Sequence, residues 1–215
     1  MIMQCLDRQQ GLIVLTSHMG CIERLIEHGL QIKNLEIVIL IHTLHAQKLN
    51  RLLRDLGVDL RQVHFIEVTE LSPISACEIE TFIKRGAWVF IAGDRVPIQS
   101  NATCSVRFLG QETEFPIGGV VLANLFHCPL FSLTCWSDSK NQKLSHQRLY
   151  TARFGNLSQG NAVSLTRAKR TEEIQSYMDN FVKELEYGLK QSPLDWFNFY
   201  DFWPKSDTRH KDHHG

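Results

Sequence analysis

Charge of one sign is missing from this chain of 215 residues: 23 Lys and Arg stand against 23 Asp and Glu. Without a basic field there is no electrostatic footprint for a phosphate backbone, and no nucleic-acid-binding motif is present, so no nucleic-acid partner is expected. Long apolar runs are missing too. The longest, 120–136, is broken by Asn124, His127 and Pro129, whereas a membrane-spanning helix needs about 20 apolar residues. Met1 to Gln10 lack a charged segment followed by an apolar core, so no signal peptide is read there. The six cysteines, Cys5, Cys21, Cys77, Cys104, Cys128 and Cys135, include no C-x-x-C pair. Several fall in apolar strands, where a thiol behaves as a small hydrophobe, and the pattern reads as a reducing compartment instead of a disulfide framework. His127, Cys128 and Cys135 match no standard zinc spacing, so no metal is expected, and no cofactor is implied. A Gly-x-Ser-x-Gly elbow is absent, which argues against a serine hydrolase. There is no internal repeat.

What is present is a composition, 43% hydrophobic and 21% charged, that supports one sizeable core and argues against disorder. Apolar strands alternate with helical patterns. Strands are expected at 12–16, 35–41, 63–68, 87–92, 103–109 and 130–136, with an edge strand at 147–154. Helices are expected at about 19–30, 45–56, 73–85, 118–127 and 171–190. Pro73 and Gly86 punctuate one helix, Thr171 to Ile174 signal the start of another, and Ile174, Tyr177, Met178, Phe181, Leu185 and Leu189 form the latter's apolar stripe. This order predicts a single α/β domain over residues 1–204, its central sheet mostly parallel or mixed and flanked by helices. The charged, His-rich tail 205–215 is expected to be disordered.

The segment Ser17-His18-Met19-Gly20-Cys21-Ile22-Glu23 follows the first apolar strand directly. A histidine at the rim of a sheet is reachable by substrate, and a carboxylate fixes its tautomer. Positions five apart on a helix are turned by about 140° from each other, so His18 and Glu23 meet only if His18 lies at or before the first helical turn. Taken alone, the pair also fits a partly buried histidine and a solvated Glu23.

Further on, Phe90-Ile91-Ala92-Gly93-Asp94-Arg95 ends an apolar strand. Val106-Arg107-Phe108-Leu109-Gly110 and then Phe115-Pro116-Ile117-Gly118-Gly119 follow. This order resembles the late acyltransferases of lipid A biosynthesis, within the wider glycerolipid acyltransferase superfamily. There a histidine-x4-acid motif precedes a strand ending in Gly-Asp-Arg, an aromatic segment ending in glycine, and a Phe-Pro-x-Gly turn into a helix. The resemblance covers roughly residues 10–136. A terminal aromatic cluster, Trp196, Phe197, Phe199, Tyr200, Phe202 and Trp203, extends it and is similar to the branch found beside fatty-acid-like and aryl-polyene pathways. Members of the family usually carry a hydrophobic N-terminal anchor. Here only 17 residues precede His18, which fits a naturally short form, a missing part supplied by another chain, or a truncated gene start.

The resemblance implies a bacterial enzyme moving a fatty acyl group from a thioester, on acyl carrier protein or coenzyme A, to a hydroxyl of a lipid or glycolipid. It implies peripheral contact with the cytoplasmic face of the inner membrane. His18 is expected as general base and Glu23 as its orienting acid. Gly93, Asp94, Arg95, Gly110, Phe115 and Gly118 are expected on the substrate side. Arg95 would offer its planar fork to a phosphate of the donor or acceptor, and Gly110 and Gly118 would serve turns and bring N–H groups near an oxyanion. The aromatic cluster is read either as core under a terminal helix or as an interfacial patch or acyl-tunnel wall. The competing function is a non-catalytic lipid- or carrier-binding protein that retains the acyltransferase fold.

Overall fold

The computed structural model describes residues 1–21, 29, 31–32, 35–41, 43–55, 60–67, 72–96, 102–138, 149–199 and 201–203. The strands are β1 (Leu12–Thr16), β2 (Ile37–Ile41), β3 (Val63–Glu67), β4 (Trp88–Ala92), β5 (Thr103–Phe108), β6 (Gln111–Pro116), β7 (Leu130–Ser137) and β8 (Tyr150–Asn156). The helices are α1 (Ile2–Asp7), α2 (Thr43–Asp55), α3 (Pro73–Lys84), α4 (Gly118–Leu125) and α5 (Arg170–Gln191). Six strands form one sheet in the order β3-β2-β4-β1-β7-β8, and β5 and β6 form a separate hairpin. All pairings in the large sheet are parallel except that of β8 with β7. The fold is thus α/β with a mostly parallel, mixed sheet flanked by helices.

Alternation within the central strands builds two apolar layers, because successive side chains point to opposite faces. Ile13 and Leu15 of β1, Val38 and Leu40 of β2 and Val89 of β4 lie on one face, with Ile79, Phe82 and Ile83 of α3, Val120 and Ala123 of α4, and Met178, Phe181 and Leu185 of α5. Leu12 and Val14, Ile37 and Ile39, and Trp88 lie on the other, with Cys5 of α1 and Leu53 of α2. Each fully buried Leu, Ile or Val contributes about 1.5–3 kcal/mol. Burial on both faces explains why these strands read as unbroken apolar runs.

Helix α3 is punctuated as its sequence requires. Ser72 caps it by accepting the Ser75 N–H at 3.1 Å, Pro73 stands in the first turn, and Gly86 follows the end at φ 95°. Helix α5 differs from expectation at its start. Its N-cap is Lys169 without a side-chain cap bond, and Glu173 reaches back to Thr166, accepting from its main-chain N–H at 2.8 Å and its hydroxyl at 3.1 Å. Two elements, α1 and β6, go beyond the sequence reading. In the expected helix from about residue 19, Met19 instead forms an antiparallel bridge with Trp196 and Gly20 sits at φ 74°, while residues 22–28 lie outside the described residues. The tail 205–215 lies outside them as well. Among the described residues, no helix is long and apolar enough to cross a membrane.

Candidate functional site

Strand register creates the site. In the parallel pairing of β1 with β4, Thr16 stands opposite Ala92, so the two chains leave the sheet side by side. His18 and Asp94 each come two residues later. The Gly93 N–H donates to Thr16 O at 2.8 Å and ties the two exits together. Asp94 then grips His18 twice: Oδ2 accepts the His18 main-chain N–H and Oδ1 meets Nδ1, both at 2.8 Å. A third donor, the indole Nε1–H of Trp196, reaches Oδ2 at 3.0 Å.

The electrostatic consequence follows from donor and acceptor counting. A carboxylate only accepts, so the proton between the pair belongs to His18 Nδ1, and Nε2 keeps its lone pair. This is the tautomer a general base needs. Asp94 is buried, its side chain 1% exposed, while that of His18 is 37% exposed. A buried, fully bonded acceptor thus holds a ring that solvent can reach.

A C-terminal strap completes the arrangement. After a 3-10 turn at Pro193–Asp195, each of three consecutive residues holds part of the site. Asp195 accepts the Gly20 N–H on its carbonyl at 2.8 Å and the Ser137 N–H on its carboxylate at 2.5 Å. Trp196 bonds Asp94, and the Phe197 N–H donates to the His18 carbonyl at 2.8 Å. Gly20 is required beside His18, because at φ 74° a Cβ there would stand 2.3 Å from Cys135 O.

The expected site residues divide into groups. His18, Gly93, Asp94 and Arg95 come together at the ends of β1 and β4. Asp94, expected on the substrate side, is the histidine's partner instead. Glu23, expected in that role, lies outside the described residues. One arm of Arg95, Nη2, donates to the Phe197 carbonyl, so the strap engages part of the fork expected to meet a phosphate. Gly118 opens α4 with Ile91 Cδ1 3.9 Å from the position of a Cβ, which sets it beside the end of β4.

Gly110 and Phe115 each have a structural part in the hairpin and the core. Gly110 forms the β5–β6 hairpin turn with Leu109, at φ 87° and 51°, and nothing lies within 4 Å of where its Cβ would be. It serves the turn, as two-residue hairpins demand positive φ. Phe115 is fully buried, its ring against those of Phe108, Phe181 and Phe202, and packs as core.

The terminal aromatic cluster divides between the two roles expected of it. Trp196, Phe202 and Trp203 pack against the core, whereas Phe197 and Phe199 are 45% and 88% exposed and Leu194 is 92% exposed. No regular terminal helix covers them among the described residues. Trp196 is the residue of the site that motif reading misses, since its only sequence signal is membership of that cluster. No disulfide joins the six cysteines, and among the described residues no cluster of His, Cys, Asp and Glu is arranged to hold a metal ion. No protein-family model matches this chain, and no curated protein matches it.

Proposed function

We propose that this protein is an acyltransferase that moves a fatty acyl group from a thioester of acyl carrier protein or coenzyme A to a hydroxyl of a lipid or glycolipid. The observation that carries the reading is the Asp94–His18 pair, a buried carboxylate holding a half-exposed imidazole by Nδ1 at 2.8 Å. In the reaction, His18 Nε2 takes the proton of the acceptor hydroxyl as its oxygen attacks the thioester carbonyl. The C–S bond of the tetrahedral intermediate then breaks, and the leaving thiolate receives that proton from the imidazolium. Asp94 stabilises the imidazolium between the two steps. Arg95, set beside His18 by the strap, supplies positive charge for a phosphate of the carrier's prosthetic group or of a lipid headgroup. Exposed Leu194, Phe197 and Phe199 lie on the strap that crosses the site, which supports peripheral contact with the cytoplasmic face of the inner membrane.

The test is incubation of the purified protein with labelled acyl carrier protein or acyl-coenzyme A and a total lipid extract. Transfer of label to lipid is expected, and His18→Ala should lower turnover by roughly 10² to 10⁴ while donor binding persists. Lipid binding without transfer from either donor would replace this reading with that of a non-catalytic binding protein.

A further inference from the structure

We infer that Trp196 is a positioning residue for His18, acting through Asp94, so that the C-terminal strap is part of the machinery that sets the base. Asp94 Oδ2 accepts two N–H groups, from the His18 main chain at 2.8 Å and from the Trp196 indole at 3.0 Å, while Oδ1 takes Nδ1 of the imidazole. Those two donors on Oδ2 fix the rotation of the carboxylate, and the rotation aims Oδ1 at the ring. Asp94 is 2% exposed, so water is a poor substitute for the indole.

The indole is itself held from both sides. Its ring meets Phe108 edge to face at 5.3 Å and Phe202 at 5.1 Å, while Met19, the residue after His18, pairs with Trp196 as a β-bridge. Its neighbours Asp195 and Phe197 bond Gly20 and His18 through the main chain. The strap thus touches His18 by backbone and Asp94 by side chain. An indole has one polar hydrogen and no acceptor, which makes it a one-directional clamp on a carboxylate.

The geometry of the pair is independent of the acyltransferase reading, and only the turnover arm of the test rests on it. In the unaltered protein with ¹⁵N-labelled histidine and tryptophan, the His18 signals, assigned by their loss in His18→Gln, should show the proton on Nδ1. One of the four tryptophan indole N–H signals should move with the His18 titration. Trp196→Phe keeps an aromatic ring but removes the donor. It should shift the His18 titration and let the ring populate both tautomers. Phe115→Leu loosens the same aromatic cluster through Phe108, Phe181 and Phe202, which its ring meets, and should leave the tautomer alone. If acyl transfer is found, Trp196→Phe should lower kcat about 10-fold or more with KM unchanged, since hydrogen bonds to charged groups are the stronger class. The same substitution made on top of Asp94→Asn should add little. An unchanged His18 tautomer and titration in Trp196→Phe, no indole signal following His18, or an equal disturbance in Phe115→Leu would each overturn the inference. Failure of acyl transfer alone would overturn the function and leave the positioning role standing.

Discussion

Replacing Asp94 by asparagine tests the site more sharply than deleting the side chain. Asparagine has the carboxylate's shape but one acceptor oxygen in place of two. Its best orientation puts that oxygen where Oδ2 was, facing the His18 main-chain N–H and the Trp196 indole, and turns its NH₂ toward His18 Nδ1. Nδ1 must then accept, the ring proton moves to Nε2, and the base is lost. Hydrogen bonds to a charged group contribute about 1.5–3 kcal/mol and neutral ones about 0.5–1.5, so weakening the two retained bonds costs roughly 2 kcal/mol. Removing a buried charge offsets part of that. A net loss of about 1–2 kcal/mol is expected for Asp94→Asn, by urea unfolding with an unchanged slope. Alanine leaves three donors without an acceptor at about 1–3 kcal/mol each, and should cost several kcal/mol in total. On the proposed acyl transfer, turnover in Asp94→Asn should fall by about 10² to 10⁴, because the exposed nitrogen would then carry the proton. An Asp94→Ala protein as stable as Asp94→Asn, or an Asp94→Asn protein with full turnover, would refute the reasoning.

Gly20 and Gly110 form a matched pair for a second measurement. Both have positive φ, but a Cβ at Gly20 would strike Cys135 O at 2.3 Å while one at Gly110 meets nothing within 4 Å. Gly110→Ala should therefore cost about 1 kcal/mol of backbone strain, and Gly20→Ala about 2–4 kcal/mol with loss of the His18 geometry, both read from urea midpoints; equal costs would show that Cys135 yields easily. Burial pushes the Cys128 thiol up from 9.0 to about 12. Exposed Cys77 should be alkylated by iodoacetamide well before buried Cys128 in the native protein, as peptide mapping would show. The sign for stability follows from linkage. The unfolded thiol loses its proton near 9.0 and the folded one near 12, so this contribution is complete below pH 9 and declines as pH rises from there toward 12. A urea midpoint for a Cys128→Ala protein that falls just as steeply over that range would exclude Cys128 as the cause.

Much of the architecture is legible in the amino-acid sequence. Unbroken apolar runs such as Ile37–Ile41 mark strands buried on both faces, and punctuation such as Pro73 and Gly86 bounds a helix, because these signals act within a few residues. Helix α1 and strand β6 are not legible in that way. The first is a six-residue helix, and the second, Gln111–Pro116, has the burial pattern of a strand with one face in solvent. Its polar positions hide the alternation.

His18, Asp94 and Arg95 are recognisable as chemistry-bearing from their positions after apolar strands. That Asp94 bonds His18 is not, since a motif read along the chain looks to acids nearby, and Asp94 stands 76 residues away. That bond depends on β4 being inserted between β1 and β2, with Thr16 set opposite Ala92. Strand order is a property of the whole sheet and of the helices packed on it. The role of Trp196 is equally out of reach of local patterning. Its indole stands 102 residues from Asp94 along the chain and meets it only because the strap crosses the rim of the sheet. Local patterning decided what each segment would become. Only tertiary packing decided which of those segments would share a proton.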